Sequence, residues 1–192
     1  DENKRQDCLR LWKNMTQRQL YITGGIGSQS SGEAFSSDYD LPNDTVYAES
    51  CASIGLMMFA RRMLVMEGDS QYADVMERAL YNTVLGGMAL DGKHFFYVNP
   101  LEVHPKTLAG NHIYDHTKPV RQRWFGCACC PPNIARVLTS LGHYIYTPRA
   151  DALYISLCIG NSVEVAVGDK TLHLHISGNY PWQGQVAITV HS

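Results

Sequence analysis

Three of the six cysteines in this 192-residue chain lie within four positions, at Cys127, Cys129 and Cys130, just before Pro131 and Pro132. Thiolates are soft metal ligands and good nucleophiles, and cysteine clusters outside secreted disulfide scaffolds favour metal binding or catalysis. Adjacent cysteines do not pair easily with each other, and the cysteine content is far below that of a disulfide scaffold. The cluster therefore predicts a thiolate metal site rather than a disulfide framework.

A second segment must complete such a site, because a tetrahedral zinc ion takes four nitrogen, sulfur or oxygen ligands. The best candidate segment carries Glu49 and Cys51. Residues two apart diverge by about 200° in a helix but share one face of an extended segment, so these two converge only before a helix or at its start. Together with Cys129 and Cys130 they form one candidate ligand set. An all-thiolate set, in which Cys127 replaces Glu49, stays open as an alternative. Such a site would have only a structural role, in which the metal holds loops together.

Histidines offer a weaker alternative for metal binding. His112 and His116 have the i, i+4 spacing of ligands on a helix, but Gly110 and Pro119 disfavour a helix there. The first histidine also lacks the following glutamate of the metalloprotease motif. We expect these and the other six histidines to have mainly surface or structural roles.

Composition excludes several classes of partner. The net charge is −2 and no run of lysine or arginine occurs, so we expect no nucleic acid partner. No apolar run approaches the roughly 18 residues of a membrane span, and the first residues carry no secretory leader. The glycine-rich stretch 24–27 lacks a phosphate-binding motif and predicts a turn with positive φ or close backbone approach. We expect no membrane partner and a cytoplasmic protein whose natural N-terminus lies further upstream.

Hydrophobic periodicity places these residues on a scaffold that is mainly α followed by β. The long polar loop 30–45 carries four acidic residues, of which Glu33 has the least polar neighbours. From residue 152 the apolar period changes to two, with Gly-Asn and Gly-Asp turns between runs, which predicts an antiparallel meander or sandwich. The domains are therefore predicted as 1–149 and 150–192, the second of them cut short. The predicted helices span residues 8–20, 53–66, 70–85 and 131–146.

Four unusual motifs carry a more specific signal, at Tyr21 to Ser28, Gly32 to Phe35, Asp38 to Ile54 and Trp124 to Asn133. Together they resemble the β-L-arabinofuranosidase family of glycoside hydrolases, family 127. The resemblance implies an (α/α)6 barrel that carries the active site, followed by β-sandwich domains. It also implies that this chain is the C-terminal part of the barrel leading into a truncated β-sandwich, within a longer parent enzyme.

The resemblance assigns roles to individual residues. It implies that Cys129 is the catalytic nucleophile and that Glu33, in the Gly-Glu-Ala-Phe motif, is the acid/base. It also implies that Tyr97 and Glu49 contact the substrate near the nucleophile. The implied zinc ligands are Glu49, Cys51, Cys129 and Cys130.

The function implied by the resemblance is that of a retaining glycosidase that removes β-L-arabinofuranosyl residues. Its partner would be a small carbohydrate, an L-arabinofuranoside, and a homodimer of the full-length parent stays open. The alternative is a zinc-stapled module that binds carbohydrate or has a structural role without catalysis. We expect this chain alone to be inactive, because the resemblance implies that the upstream half of the barrel completes the sugar pocket.

Overall fold

The structure is a computed structural model and describes residues 1–191 of the chain. These residues form two units, Asp1–Val137 and a second unit that begins at Leu138. The first unit is helical and the second contains all five strands found in the described residues. The predicted order, helices and then strands, is confirmed. The domain boundary at residues 149 and 150, the (α/α)6 barrel and the β-sandwich stay predictions.

Helices build the frame that carries the site. Among the described residues, none of them is long and apolar enough to cross a membrane. Their bounds are α1 (Glu2–Arg18), α2 (Ser50–Glu67), α3 (Ser70–Arg78), a π-helix (Ala79–Val84), α4 (Leu85–Gly87), short 3-10 helices at Pro105–Thr107 and His112–Tyr114, α5 (Cys130–Thr139) and α6 (Gly142–Ile145).

Helix α2 is the central element of the first unit. It begins at Ser50, three residues before the predicted start, because the Ser53 N–H already donates to the Glu49 carbonyl at 3.2 Å. It ends at Glu67, one residue beyond the predicted end, and its C-cap is Gly68, whose φ of 75° lies in the left-handed region that glycine tolerates best. Half of its twelve apolar side chains are buried, whereas Val65 and Met66 near its end are exposed.

The predicted helix 70–85 is observed as an unbroken helical stretch, but residues 79–84 form a π-helix rather than an α-helix. Asn82 and Thr83 bond their side chains to carbonyls four residues earlier, at 3.0 and 2.8 Å, which competes with regular helix geometry. Gly24 also lies against this turn, with φ +83°. A Cβ placed on it would be only 2.7 Å from the Ala79 Cα. The close backbone approach expected of the glycine-rich stretch is thereby confirmed.

The predicted helix 131–146 is wrong in part, since α5 ends at Thr139 and a separate short helix follows. Gly142 weakens any continuous helix through its conformational freedom. Tyr146, placed on the predicted helix, instead begins strand β1 and pairs with Ile155. A local helical pattern therefore gives way here to strand pairing.

The second unit contains two small antiparallel sheets. Strands β1 (Tyr146–Pro148) and β2 (Leu153–Ile155) form a hairpin. Strands β3, β4 and β5 form a three-stranded meander in sequence order, as predicted from the period-two runs. Their bounds are Asn161–Val167, Lys170–Gly178 and Val186–His191.

Candidate metal centre and active-site cleft

Four side chains that can ligate a metal converge in the first unit: Glu49, Cys51, Cys129 and Cys130. Their ligand atoms all lie within 4.8 Å of one another. The Cys130 sulfur is 3.6 Å from that of Cys51 and 3.7 Å from that of Cys129. Cys127 is exposed and lies outside this cluster of the described residues. The structure thus brings together the predicted ligand set that contains the glutamate.

The start of α2 positions Glu49 and Cys51. Glu49 is the N-cap, with extended backbone at φ −61° and ψ 141°, and Cys51 is the second helical residue. The cap is held by an isolated bridge between Glu49 and Val98 and by the Ser50 N–H, which donates to the Tyr97 carbonyl at 2.9 Å. This placement confirms that the two side chains converge at a helix start.

The start of α5 positions the other two ligands. Cys130 is its first residue and Cys129 immediately precedes it, while Pro131 and Pro132 occupy the first turn, where a missing N–H costs nothing. Helix N-termini favour negative charge. The three thiols therefore lie at the starts of α2 and α5, where the backbone stabilises thiolates.

A hydrogen-bonded pair supports Cys51 from behind. The Asn133 side-chain amide donates to the Cys51 sulfur at 3.0 Å. The Arg136 guanidinium donates to the Asn133 side-chain carbonyl at 2.6 Å, which orients the amide. Sequence analysis missed this contact. The signal was present, because Asn133 lies three residues after Cys130 and therefore shares its helix face.

Burial alone does not favour thiolates in this cluster. It raises the pKa of the Cys129 thiol to about 12, and hydrogen bonding with Cys51 together with burial raises the pKa of Cys130 above its usual range. Hydrogen bonding with Cys130 instead lowers the pKa of Cys51. A metal ion is the group that deprotonates coordinating thiols outright. Three convergent sulfurs and one carboxylate, with no cation among them, therefore fit a metal ion.

A cleft of about 420 Å³ opens beside the cluster, and Glu33, Glu49 and Cys129 all line it. The Cys129 thiol lies 3.1 Å from both a Glu49 carboxylate oxygen and the Tyr97 hydroxyl. Tyr47 also lines this cleft, and its hydroxyl donates to a Glu33 carboxylate oxygen at 3.3 Å. Sequence analysis missed this role of Tyr47. Its only signal was its place two residues before the predicted ligand Glu49.

The apolar sequence neighbours of Glu33 do not bury it, and its side chain is exposed. Glu33 lies in a tight turn closed by the Gln29–Ala34 bridge, with φ +49°, so the local chain cannot cover it. The loop's other acidic residues have different partners. Asp38 pairs with Arg18, and Asp44 accepts a hydrogen bond from the Tyr114 hydroxyl at 3.0 Å. Among these three, only Glu33 lines the cleft.

The histidine alternative does not form a metal site in the described residues. His112 belongs to a three-residue 3-10 helix, its side chain is 98% exposed, and its nearest charged partner is Asp115. His116 packs on the ring of Tyr97 with a centroid distance of 4.5 Å. Neither histidine belongs to the cluster of candidate ligands.

Comparisons with known proteins agree with this geometry. A family model described as the GH127 catalytic domain of beta-L-arabinofuranosidase matches residues 1–143. The chain is 46% identical over 195 aligned residues to a non-reducing end beta-L-arabinofuranosidase of Bifidobacterium longum, covering 99% of this chain and 29% of that protein.

Solved structures give the same result. The crystal structure of Ara127N, a GH127 beta-L-arabinofuranosidase from Geobacillus stearothermophilus T6, matches with a TM-score of 0.93 and 56% identity, over 99% of this chain and 30% of that one. A second structure, of a GH127 beta-arabinofuranosidase, matches with a TM-score of 0.83 and 40% identity, over 93% and 26%. The chain therefore spans about 30% of the length of these relatives.

Proposed function

Because the chain belongs to the GH127 β-L-arabinofuranosidase family of glycoside hydrolases, we propose that it contributes the catalytic pair and the metal ligands of an enzyme that removes β-L-arabinofuranosyl residues with retention. The observation that carries the proposal is the cleft shared by Glu33 and Cys129 beside the ligand cluster. The partner is a small carbohydrate, an L-arabinofuranoside. A homodimer of the parent enzyme and a cytoplasmic location stay predictions.

We assign the cluster to zinc, held by Glu49, Cys51, Cys129 and Cys130. Zinc binds thiolates and carboxylates in tetrahedral sites, whereas magnesium and calcium prefer oxygen ligands throughout. When bound, zinc would keep the coordinating thiols deprotonated and hold them in place. The Asn133 amide would orient Cys51 from outside the ligand set, as hydrogen-bonded neighbours commonly do.

In the first chemical step, the Cys129 sulfur attacks the anomeric carbon of the sugar. A C–S bond forms while the glycosidic C–O bond breaks, and the leaving oxygen keeps the electron pair and takes a proton from Glu33. In the second step, Glu33 removes a proton from water, whose oxygen attacks the anomeric carbon as the electron pair of the C–S bond returns to sulfur. Two inversions give net retention.

Tyr97 and Glu49 would contact the sugar beside the nucleophile. Both line the cleft, and each has a polar atom 3.1 Å from the Cys129 sulfur. Burial raises the pKa of Tyr97 well above its usual range, so its hydroxyl stays neutral and can donate a hydrogen bond. The buried Glu49 carboxylate is an acceptor for sugar hydroxyls on the same side of the cleft.

The non-catalytic alternative requires a closed structural metal site. Here the ligand Cys129 lines an open cleft, the cluster contains a carboxylate, and Cys127 lies outside it. These features favour the glycosidase over a module in which zinc only staples loops.

Metal analysis of ligand variants tests the zinc assignment. We expect the purified parent enzyme to contain about one zinc ion per chain, and the Cys51→Ser, Cys130→Ser and Glu49→Gln variants to contain almost none, because each removes one of four tetrahedral ligands. Elemental mass spectrometry after gel filtration measures the ratio. The matched control is Cys127→Ser, which should keep its zinc. Loss of zinc from this control, with retention in Glu49→Gln, would instead support the all-thiolate site.

Leaving-group dependence tests the assignment of Glu33. In the parent enzyme, Glu33→Gln should lower kcat about 10²- to 10⁴-fold on an alkyl arabinofuranoside, whose leaving group needs a proton. With an activated aryl arabinofuranoside, whose leaving group needs no proton, the rate of the first step should fall much less. Asp38→Asn, in the same loop, is the control and should keep kcat within about threefold, since surface ion pairs contribute little. Near-normal turnover of the alkyl substrate by Glu33→Gln would exclude this role.

A further inference from the structure

Two tyrosines connect the proposed nucleophile and the proposed acid/base to one shared set of aromatic contacts. The Tyr97 hydroxyl lies 3.1 Å from the Cys129 sulfur, and the Tyr47 hydroxyl lies 3.3 Å from a Glu33 oxygen. The centroids of the two phenol rings are 6.2 Å apart, in an edge-to-face arrangement. The orientation of each ring therefore determines where its hydroxyl meets a reacting group.

His116 contacts both of these rings. Its imidazole stacks on Tyr97 with a centroid distance of 4.5 Å and an interplanar angle of 25°. It meets Tyr47 edge-on, at 5.7 Å and 87°. Stacked and edge-to-face geometries are those that aromatic pairs prefer. Phe125 packs on the same ring of Tyr97 at 5.5 Å, so the buried part of the phenol is held by more than one neighbour.

The segment that carries His116 is attached to the loop that leads into Tyr47. Within it, the Thr117 N–H donates to the Tyr114 carbonyl at 2.9 Å, and Thr117 is buried. The Tyr114 hydroxyl donates to Asp44 at 3.0 Å, three residues before Tyr47. Hydrogen bonds therefore hold the chain both before His116, at Tyr114, and after it, at Thr117. It does not line the described cleft, whereas both tyrosines do.

We propose that His116 is a positioning residue for this glycosidase. Its imidazole sets the ring planes of Tyr47 and Tyr97, and through their hydroxyls it sets the relative placement of Glu33 and Cys129. The inference rests on the proposed function, since it needs those two residues to react. Active sites require supporting side chains to hold the reacting groups within about 0.5 Å, and a misplacement of about 1 Å can cost about 10²-fold in rate.

The test compares three variants in the full-length parent enzyme. We expect His116→Ala to lower kcat about 10- to 100-fold with KM changed by less than about threefold, because both reacting groups lose their alignment. His116→Phe keeps a planar ring in this position and should recover kcat to within about fivefold of wild type. His112→Ala, four residues earlier and exposed, is the matched control and should keep wild-type kcat.

Two further measurements separate positioning from a general loss of structure. Zinc content and the melting temperature should stay at wild-type values in all three variants. In a double-mutant cycle, His116→Ala should cost much less in a Tyr97→Phe background, because its effect passes through the Tyr97 hydroxyl. If the alanine variant fails to melt cooperatively, His116→Leu takes its place in the same comparisons.

The possible outcomes are distinct. Three outcomes would each overturn the positioning role. They are an unchanged kcat in His116→Ala, additive effects of the two mutations on kcat in the double-mutant cycle, and failure of His116→Phe to recover activity at normal zinc content. If the wild-type parent has no arabinofuranosidase activity, the proposed function itself fails. Loss of kcat in His116→Ala with recovery in His116→Phe and strong coupling to Tyr97 would support the inference.

Discussion

Purified alone, the 192-residue chain is expected to hydrolyse an aryl β-L-arabinofuranoside at least about 10⁵-fold more slowly than the parent enzyme, even if it keeps its zinc. Correct positioning of reacting groups supplies about 7–11 kcal/mol of a barrier, and this requires a closed, rigid pocket. Here the Glu33 side chain is exposed and the chain spans only about 30% of its relatives. Water is therefore not excluded from the proposed acid/base.

Parallel kinetics of the isolated chain and the parent enzyme test this expectation. Both proteins should be characterised for zinc content and for a single cooperative melting transition, so that an inactive but folded chain is distinguished from an unfolded one. The parent carrying Cys129→Ala provides the background rate. A monomeric chain with turnover comparable to that of the parent would contradict the expectation and would show that these residues suffice for catalysis.

Replacement of Cys129 by alanine in the parent enzyme should lower kcat/KM at least about 10⁴-fold, the scale seen when a catalytic nucleophile is removed. Cys129 lines the cleft, and its sulfur lies 3.1 Å from both Tyr97 and Glu49. Of the other cysteines near it, Cys130 is fully buried, whereas Cys51 and Cys127 also line the cleft. Cys8→Ala, which changes a partly buried thiol outside the cluster, is the control and should keep wild-type activity.

Direct identification of the intermediate separates nucleophile from metal ligand, since Cys129 is proposed to be both. The Glu33→Gln variant lacks the base of the second step, so an activated aryl arabinofuranoside should leave one pentosyl group on the enzyme. Peptide mass spectrometry should locate this group on Cys129. A pentosyl group on any other residue would exclude Cys129 as the nucleophile, whatever the activity of Cys129→Ala.

The sequence alone predicted the two helix starts that supply the ligand cluster, because each start is a local feature. Cys129 and Cys130 precede two prolines that mark a first helical turn, and the spacing of Glu49 and Cys51 requires a helix start. Both helix starts are observed. The period-two runs after residue 152 likewise sufficed to predict the meander. These features depend on backbone geometry within a few residues, which sequence patterns record directly.

The tertiary structure alone decided which side chains meet across long stretches of chain. Tyr47 meets Glu33, Asn133 meets Cys51 and His116 meets Tyr97. Spacing places Asn133 beside Cys130 and Tyr47 beside Glu49, but it does not give their actual partners, because each contact depends on how loops and helix starts pack. The exposure of Glu33 was missed for the same reason: its apolar sequence neighbours indicated burial, but burial is determined by the segments that fold over a residue and not by those beside it in sequence.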